Sequence, residues 1–139
     1  MPLIYRVMTR DGEKPKVGNT ARSLGVRLPP SPRPDVEVND DGTVEPGRGG
    51  MSVSPSLERL PKHRIPKRFA HRVPEVSGYD ADACWYMGSG PFEEGPVAHG
   101  LVLKLKSEDH GLVEPAFGMP LADYLAALVA TRDQWQIEE

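Results

Sequence analysis

The chain has 139 residues, of which 38% are hydrophobic and 27% charged, with a formal net charge of −3. That length suits one domain with a modest core, and no apolar run approaches the roughly 20 residues a membrane-spanning helix needs. The acidic balance argues against a dedicated nucleic-acid coat, and a single cysteine, Cys84, leaves no internal disulfide and no Cys-based zinc site.

One unpaired cysteine suits a reducing compartment. The opening MPLIYRVMTRDGEKPK lacks a basic stretch followed by a long apolar one, so no secretory signal is expected. The 14 glycines and 15 prolines form about a fifth of the chain, against roughly 12% in average usage. Such a composition argues against a helical bundle and for short elements joined by irregular loops.

The first element reads as a strand over residues 3–8, β-branched and aromatic, ending at the Asp11-Gly12 turn. Alternation puts Leu3, Tyr5 and Val7 on one face and Ile4, Arg6 and Met8 on the other. An arginine between two apolar residues belongs on an edge or in a lined cleft. Residues 29–50 are the least regular stretch, read either as disordered linker or as a small hairpin. In the second case Val36-Glu37-Val38 pairs with Thr43-Val44 across Asn39-Asp40-Asp41-Gly42. Gly49-Gly50-Met51-Ser52-Val53-Ser54 follows as a short extended piece closed by Pro55.

Residues 57–72 carry six of the 17 basic residues and one of the 20 acidic ones, leaving 11 and 19 elsewhere. Pro61 and Pro66 break any helix there, so the segment reads as loop and short turns. It is read either as a docking surface or as a solvated face balancing an acidic remainder. Residues 83–87 read as a buried strand and 97–105 as an alternating one, with Val97, His99, Leu101, Leu103 and Leu105 on one face. Residues 111–114 form another strand, stopped by Pro115. The spacing of Leu121, Tyr124, Leu125, Leu128, Val129 and Arg132 predicts a helix over 120–135. Pro120 suits its first position and Asp123 its positive end. No internal repeat is present.

Most catalytic patterns are absent. The four histidines have no metal-ligand spacing, and Glu108-Asp109-His110 reads as a polar turn. Cys84 lies in an apolar strand beside Trp85 and Tyr86, which suits a packed, inert thiol. Gly47-Arg48-Gly49-Gly50 lacks the Lys-Ser/Thr and the helix of a phosphate-binding loop, and neither G-x-S-x-G nor the dinucleotide fingerprint occurs.

What remains is an ordered trio: Arg6 on the first strand, Ser52-Val53-Ser54 on a glycine-introduced strand, and Glu114 on a late strand. In this order they resemble the Arg, Ser-Thr-Ser and Glu layout of ADP-ribosyltransferases. The chain further resembles the small ADP-ribosyltransferase-like toxins of bacterial type VI secretion. It shares Ile4-Tyr5-Arg6, Gly49-Gly50-Met51-Ser52-Val53, and an amphipathic C-terminal helix ending near Gln134-Trp135. These patches cover about a third of the chain. Leu112-Val113-Glu114 stands where such enzymes carry Glu-x-Glu or Gln-x-Glu.

The resemblance implies an α+β fold: a split, mostly antiparallel sheet of short strands as one domain over 1–139. The C-terminal helix is expected to bury Leu121, Leu125 and Leu128 against Leu101 and Leu103. It also implies NAD as substrate, no metal, an action in the bacterial cytosol, and an immunity protein as partner. The missing first carboxylate leaves transfer to a protein or nucleic-acid acceptor other than arginine, NAD glycohydrolase activity, or a scaffold without chemistry. Arg6 would pair with the pyrophosphate, and Gly49 and Gly50 would let backbone approach the nicotinamide amide. Ser52 and Ser54 would meet a ribose or position the glutamate, and Tyr5 or Tyr86 would stack on the nicotinamide. Glu114 would stabilise the oxocarbenium-like cation. His63 and Arg64 would hold the adenylate phosphates or face a target. Arg6, Ser52 and Glu114 are then expected to converge on one cleft.

The competing reading is a binding module without chemistry, in which loop 57–72 docks RNA, a phosphorylated ligand or an acidic partner protein. An RNA 2′-phosphotransferase, from the same broad fold family, is a related enzymatic alternative. Neither alternative involves a membrane or a disulfide-linked partner.

Overall fold

The structure, a computed structural model, describes residues 1–139. Ten short strands and one helix make an α+β arrangement in which every ladder is antiparallel. In chain order the strands are β1 (Ile4–Asp11), β2 (Lys14–Pro15), β3 (Thr43–Val44), β4 (Met51–Val53) and β5 (Asp82–Met87). Then come β6 (Gly95–Ala98), β7 (Leu101–Leu105), β8 (Gly111–Pro115), β9 (Met119–Pro120) and, after the helix, β10 (Gln136–Glu138). They form two four-stranded sheets, ordered β10-β5-β1-β2 and β4-β8-β7-β6, and a separate β3-β9 pair.

Period-2 alternation sorts β1 and β5 between two apolar layers. Ile4, Met8, Ala83, Trp85 and Met87 face the main core, which they share with Met51, Val53, Leu101, Leu103 and Val113 of the second sheet. Val7 and Cys84 face the other way, onto Leu57, Leu60, Ile65, Phe69 and Val73. The basic segment is therefore a core-forming cover, folded as loop with short 3-10 turns at Leu57–Arg59 and Lys67–Phe69. Each of its large apolar side chains stabilises by about 1.5–3 kcal/mol on burial. Trp85 is fully buried, and its indole N–H donates to the Met8 carbonyl at 2.9 Å.

The helix α1 runs Leu121–Ala130, shorter than its apolar spacing suggests. Tyr124 and Leu128 are buried; Leu121 and Leu125 are only partly so, and Val129 is exposed. Pro120 stands just before the first helical residue, and the Leu121 N–H is taken by the Gly42 carbonyl at 3.0 Å. The helix stops where the Thr131 hydroxyl donates back to the Leu128 carbonyl at 2.7 Å and itself accepts from the Trp135 indole. No helix is long and apolar enough to cross a membrane.

Two expected elements differ. The run 97–105 is a hairpin rather than one strand, because His99-Gly100 turns the chain with Gly100 at φ 77°. The expected hairpin across Asn39–Gly42 does not pair as such: Thr43 and Val44 pair with Pro120 and Met119, while Val36 bridges to Gly49. Val36 and Val44 both enter the main core, which ties the Pro/Gly-rich stretch to the fold.

Candidate functional site

The two sheets meet where β1 passes the end of β4, and a cleft of about 200 Å³ opens beside that junction. Arg6, Ser52 and Ser54 form its floor. Arg64 and His63 enter from the basic segment, Arg27 and Asp35 from either side of the Pro29–Pro34 run, and His110 from the approach to β8. The cleft contains three arginines and two histidines against one acid. That acid is committed, since Asp35 accepts from the Arg27 amide at 2.7 Å and from its guanidinium at 2.8 Å. The Ser52 and Ser54 hydroxyls have no partner within the chain and border the cleft.

Arg6 is 6% exposed, and its guanidinium is held by backbone carbonyls alone. Nε and Nη2 donate to Ser23 at 3.1 and 3.0 Å, Nη1 to Ser52 at 2.8 Å, and Nη2 also approaches Gly25 at 3.4 Å. Burial lowers the group to about 10, with the charge of Asp35 acting in the opposite direction, so it stays cationic at neutral pH. A buried cation with no carboxylate in contact is costly to hold for packing alone. Its fork, however, is spent on Ser23 and Ser52, which removes the bidentate edge expected for a pyrophosphate. Arg6 clamps the loop 20–25 to β4 and contributes its charge to the cleft.

The unspent guanidinium is that of Arg64. Four of the six cations of 57–72 are ion-paired: Arg59 with Asp109, Lys62 with Glu75, Arg68 with Asp80, and Arg72 with Glu58 and Glu138. Lys67 is exposed, and Arg64 lines the cleft with no acidic or hydrogen-bonding partner. Most of the basic run is thus neutralised by internal pairs, which weakens it as a continuous docking surface.

Glu114 shares a face of β8 with Leu112, the register partner of Ser52, so Ser52 and Glu114 lie diagonally across the β4–β8 ladder. It does not line the cleft. It is 1% exposed beneath the turn 46–48; Oε1 accepts the Gly47 N–H at 2.7 Å and Oε2 has no partner. Tyr124 lies close by, its hydroxyl donating to the Val113 carbonyl at 2.6 Å, and burial raises that phenol above its ordinary range.

The structure brings Arg6, Ser52, Ser54, His63 and Arg64 together, and Glu114 stands one layer away. The glycines serve the chain's own packing. A Cβ on Gly49, at φ 105°, would sit 2.2 Å from the Asp35 carbonyl, and one on Gly50 would sit 2.4 Å from the Val113 carbonyl. They admit neighbouring backbone rather than a nicotinamide. Tyr5 and Tyr86 lie outside the cleft and pack on each other with centroids 5.6 Å apart. The Tyr5 hydroxyl donates to Glu138 at 2.6 Å and that of Tyr86 to Gln136 at 3.1 Å, so neither ring is placed to stack on a ligand there.

Sequence reasoning missed Arg27, Asp35 and His110. The first two bracket the Pro29–Pro34 run, and opposite charges eight residues apart across prolines were the available signal. His110 gave none, because its place depends on sheet closure.

No protein-family model and no curated protein sequence matches the chain.

Proposed function

We propose that the chain is an ADP-ribosyltransferase-like enzyme that takes NAD as substrate, with Ser52, Ser54, Arg64 and Glu114 as its working groups. The observation that carries this reading is the pair of buried ionisable groups at the sheet junction, neither of which has an oppositely charged partner. Arg6 is held by carbonyls alone, and Glu114 keeps one oxygen without a partner, with the Ser52 and Ser54 hydroxyls free at the cleft floor. Folds retain such costs where the charges are used on a ligand.

In the reaction, the bond between nicotinamide nitrogen and ribose C1′ breaks, and its electron pair leaves with the nicotinamide. The nucleophile, water or an acceptor group, then bonds to C1′ and gives up a proton. The ribosyl cation that develops is stabilised by a carboxylate at short range, which is the role given to Glu114. Arg64, with its fork unspent, pairs with the diphosphate. Arg6 fixes loop 20–25 and adds its field. Because the turn 46–48 covers Glu114, this role requires that turn to swing aside when substrate enters.

An action in the bacterial cytosol as a secreted toxin, with an immunity protein as partner, belongs to the same proposal and rests on the resemblance of Ile4-Tyr5-Arg6 and Gly49–Val53. A second reading is favoured by the burial of Glu114: the cleft binds a phosphorylated ligand without turning it over.

The test is nicotinamide release from NAD by the purified chain, alone and with cell lysate as acceptor source, beside Glu114→Gln. Release that falls at least about a hundredfold in the variant supports the enzyme. Saturable binding of ADP-ribose with no release in either protein sinks it and leaves the binding module.

A further inference from the structure

A second groove, of about 380 Å³, runs alongside the cleft and shares Ala21 and Arg64 with it. Its wall comes from β1 at Thr9 and from the loop that follows β2, residues 16–23. Lys16 and Arg64 are its free cations: neither has an acidic partner, whereas Arg22 is held bidentately by the buried Asp82 at 2.7 and 2.8 Å. At the groove's edge the Arg22 guanidinium lies over the Tyr79 ring, 4.3 Å from its centroid. Tyr79 is 65% exposed, the most open aromatic of the chain, with Arg22 over its ring.

The backbone that presents these groups is fixed. Leu24 N–H donates to the Lys16 carbonyl at 2.8 Å, and Arg6 grips Ser23 from below. Arg64 N–H donates to Pro61 at 2.9 Å, and Gly78 packs so closely on the Arg64 carbonyl that a Cβ there would fall 2.0 Å away. Ile65 beside it is fully buried. Arg64 is thus an unpaired guanidinium on rigid backbone at the junction of two grooves, with a free lysine on one side and an exposed ring at the edge.

We propose that this groove binds single-stranded nucleic acid and leads it past Arg64 towards the Arg6 cleft. Cations that track a phosphate backbone, together with an aromatic face on which a base stacks, form the general arrangement for single strands. The exposed Tyr79 favours a strand over a lone phosphate, which has no use for a ring. The net charge of −3 is no obstacle, because no acidic residue lines the groove itself and the contact is local. The strand's role as ADP-ribose acceptor rests on the NAD reading; the binding does not.

The test is fluorescence anisotropy with a labelled RNA of about 12 mixed-sequence nucleotides, at about 50 mM salt and then at rising salt. ATP and ADP-ribose serve as separate probes. Lys16→Glu and Tyr79→Ala are compared with Lys67→Glu, an equal charge reversal at an exposed lysine outside both grooves. Binding should weaken about fivefold or more in each groove variant and less than about twofold in the control. With two free cations, the logarithm of affinity should fall with that of salt at a slope near −1.4.

No RNA binding at low salt overturns the proposal. So does equal weakening by Lys16→Glu and Lys67→Glu, which would mean undirected charge. ATP or ADP-ribose binding that depends on Lys16, without RNA binding, also overturns it and makes the groove a nucleotide site. Nicotinamide release measured separately keeps the two readings apart: Lys16-dependent RNA binding without release sinks NAD chemistry alone, and release without RNA binding sinks the groove alone.

Discussion

Tyr5 and Ser54 exchange both backbone hydrogen bonds, at 2.8 and 2.9 Å, and theirs is the one bridge between the two four-stranded sheets. The Ser54 hydroxyl plays no part in that bridge and faces the cleft. Main chain and side chain at this position are therefore separable. Ser54→Ala should leave the unfolding free energy, read from urea titration, within about 1 kcal/mol of the native value while weakening ligand binding in the cleft. Ser54→Pro deletes the N–H and should cost about 3 kcal/mol or more. If Ser54→Ala destabilises as strongly as Ser54→Pro, the hydroxyl is structural and the cleft loses one of its proposed groups.

The buried carboxyl group of Glu114 is a stability cost in the folded chain. One oxygen receives the Gly47 N–H, and the other lies buried with nothing to accept. Glu114→Gln keeps the shape and removes the ionisable group, so it should raise stability by about 1 kcal/mol, and under the NAD reading it should also remove nicotinamide release. Thermal or urea unfolding of the two proteins decides the first point. A variant less stable than the native chain would mean that the carboxylate is held for packing.

How much of this was legible beforehand varies with the range of the interaction. Burial of β5 and the alternation along β1 follow from local pattern, because a strand's period is two and its core face is fixed by its neighbours; the same pattern left Arg6 open between a sheet edge and a lined cleft, and the structure puts it in the cleft. The antiparallel sheets, with the one helix at the C-terminal end, are compatible with the α+β expectation. The break at His99-Gly100 was missed because apolar alternation continues across the turn. The roles given to Gly49, Tyr5 and Tyr86 failed for a different reason. Glycine and tyrosine report a close approach or a ring, but the partner is set by tertiary packing, and here it is Asp35, Glu138 and Gln136. Nor does composition tell which of six clustered cations stays unpaired. Arg64 and Lys67 do, while Glu58 within the segment, Glu75 and Asp80 just beyond it, and the distant Asp109 and Glu138 take the other four.

Cys84 gives a pH signature that does not depend on function. Burial pushes its thiol up to about 12 from an ordinary value of 9.0, with Arg68 acting weakly in the other direction. Between those values the unfolded thiol has lost its proton and the folded one keeps it, so the unfolded state binds fewer protons. Stability therefore falls as pH rises from about 9 towards 12. The half-buried Tyr5 and buried Tyr124 phenols act in the same direction at higher pH. Against Cys84→Ala, the native chain should show the steeper decline over that window, read from urea midpoints. At pH 8 its thiol should react with a disulfide reagent only after denaturation. Rapid labelling of the folded chain would contradict the burial.

Arg6 should be irreplaceable by lysine although the charge is kept. Its fork reaches the Ser23 carbonyl through two nitrogens and the Ser52 carbonyl through a third, which ties loop 20–25 to β4. An ammonium has no planar fork to match, and its shorter set of donors reaches one of those carbonyls at a time. Arg6→Lys should cost about 2–3 kcal/mol, since at least one buried carbonyl loses its donor. The loss should be local. Amide exchange should quicken first in residues 20–25, then at Ser54, with little change in β7 and α1. Because that loop also forms the wall of the second groove, the variant should weaken RNA binding and nicotinamide release together, whereas Lys16→Glu should affect RNA binding alone. Uniform destabilisation with unchanged exchange in residues 20–25 would show that the guanidinium does not act as a clamp.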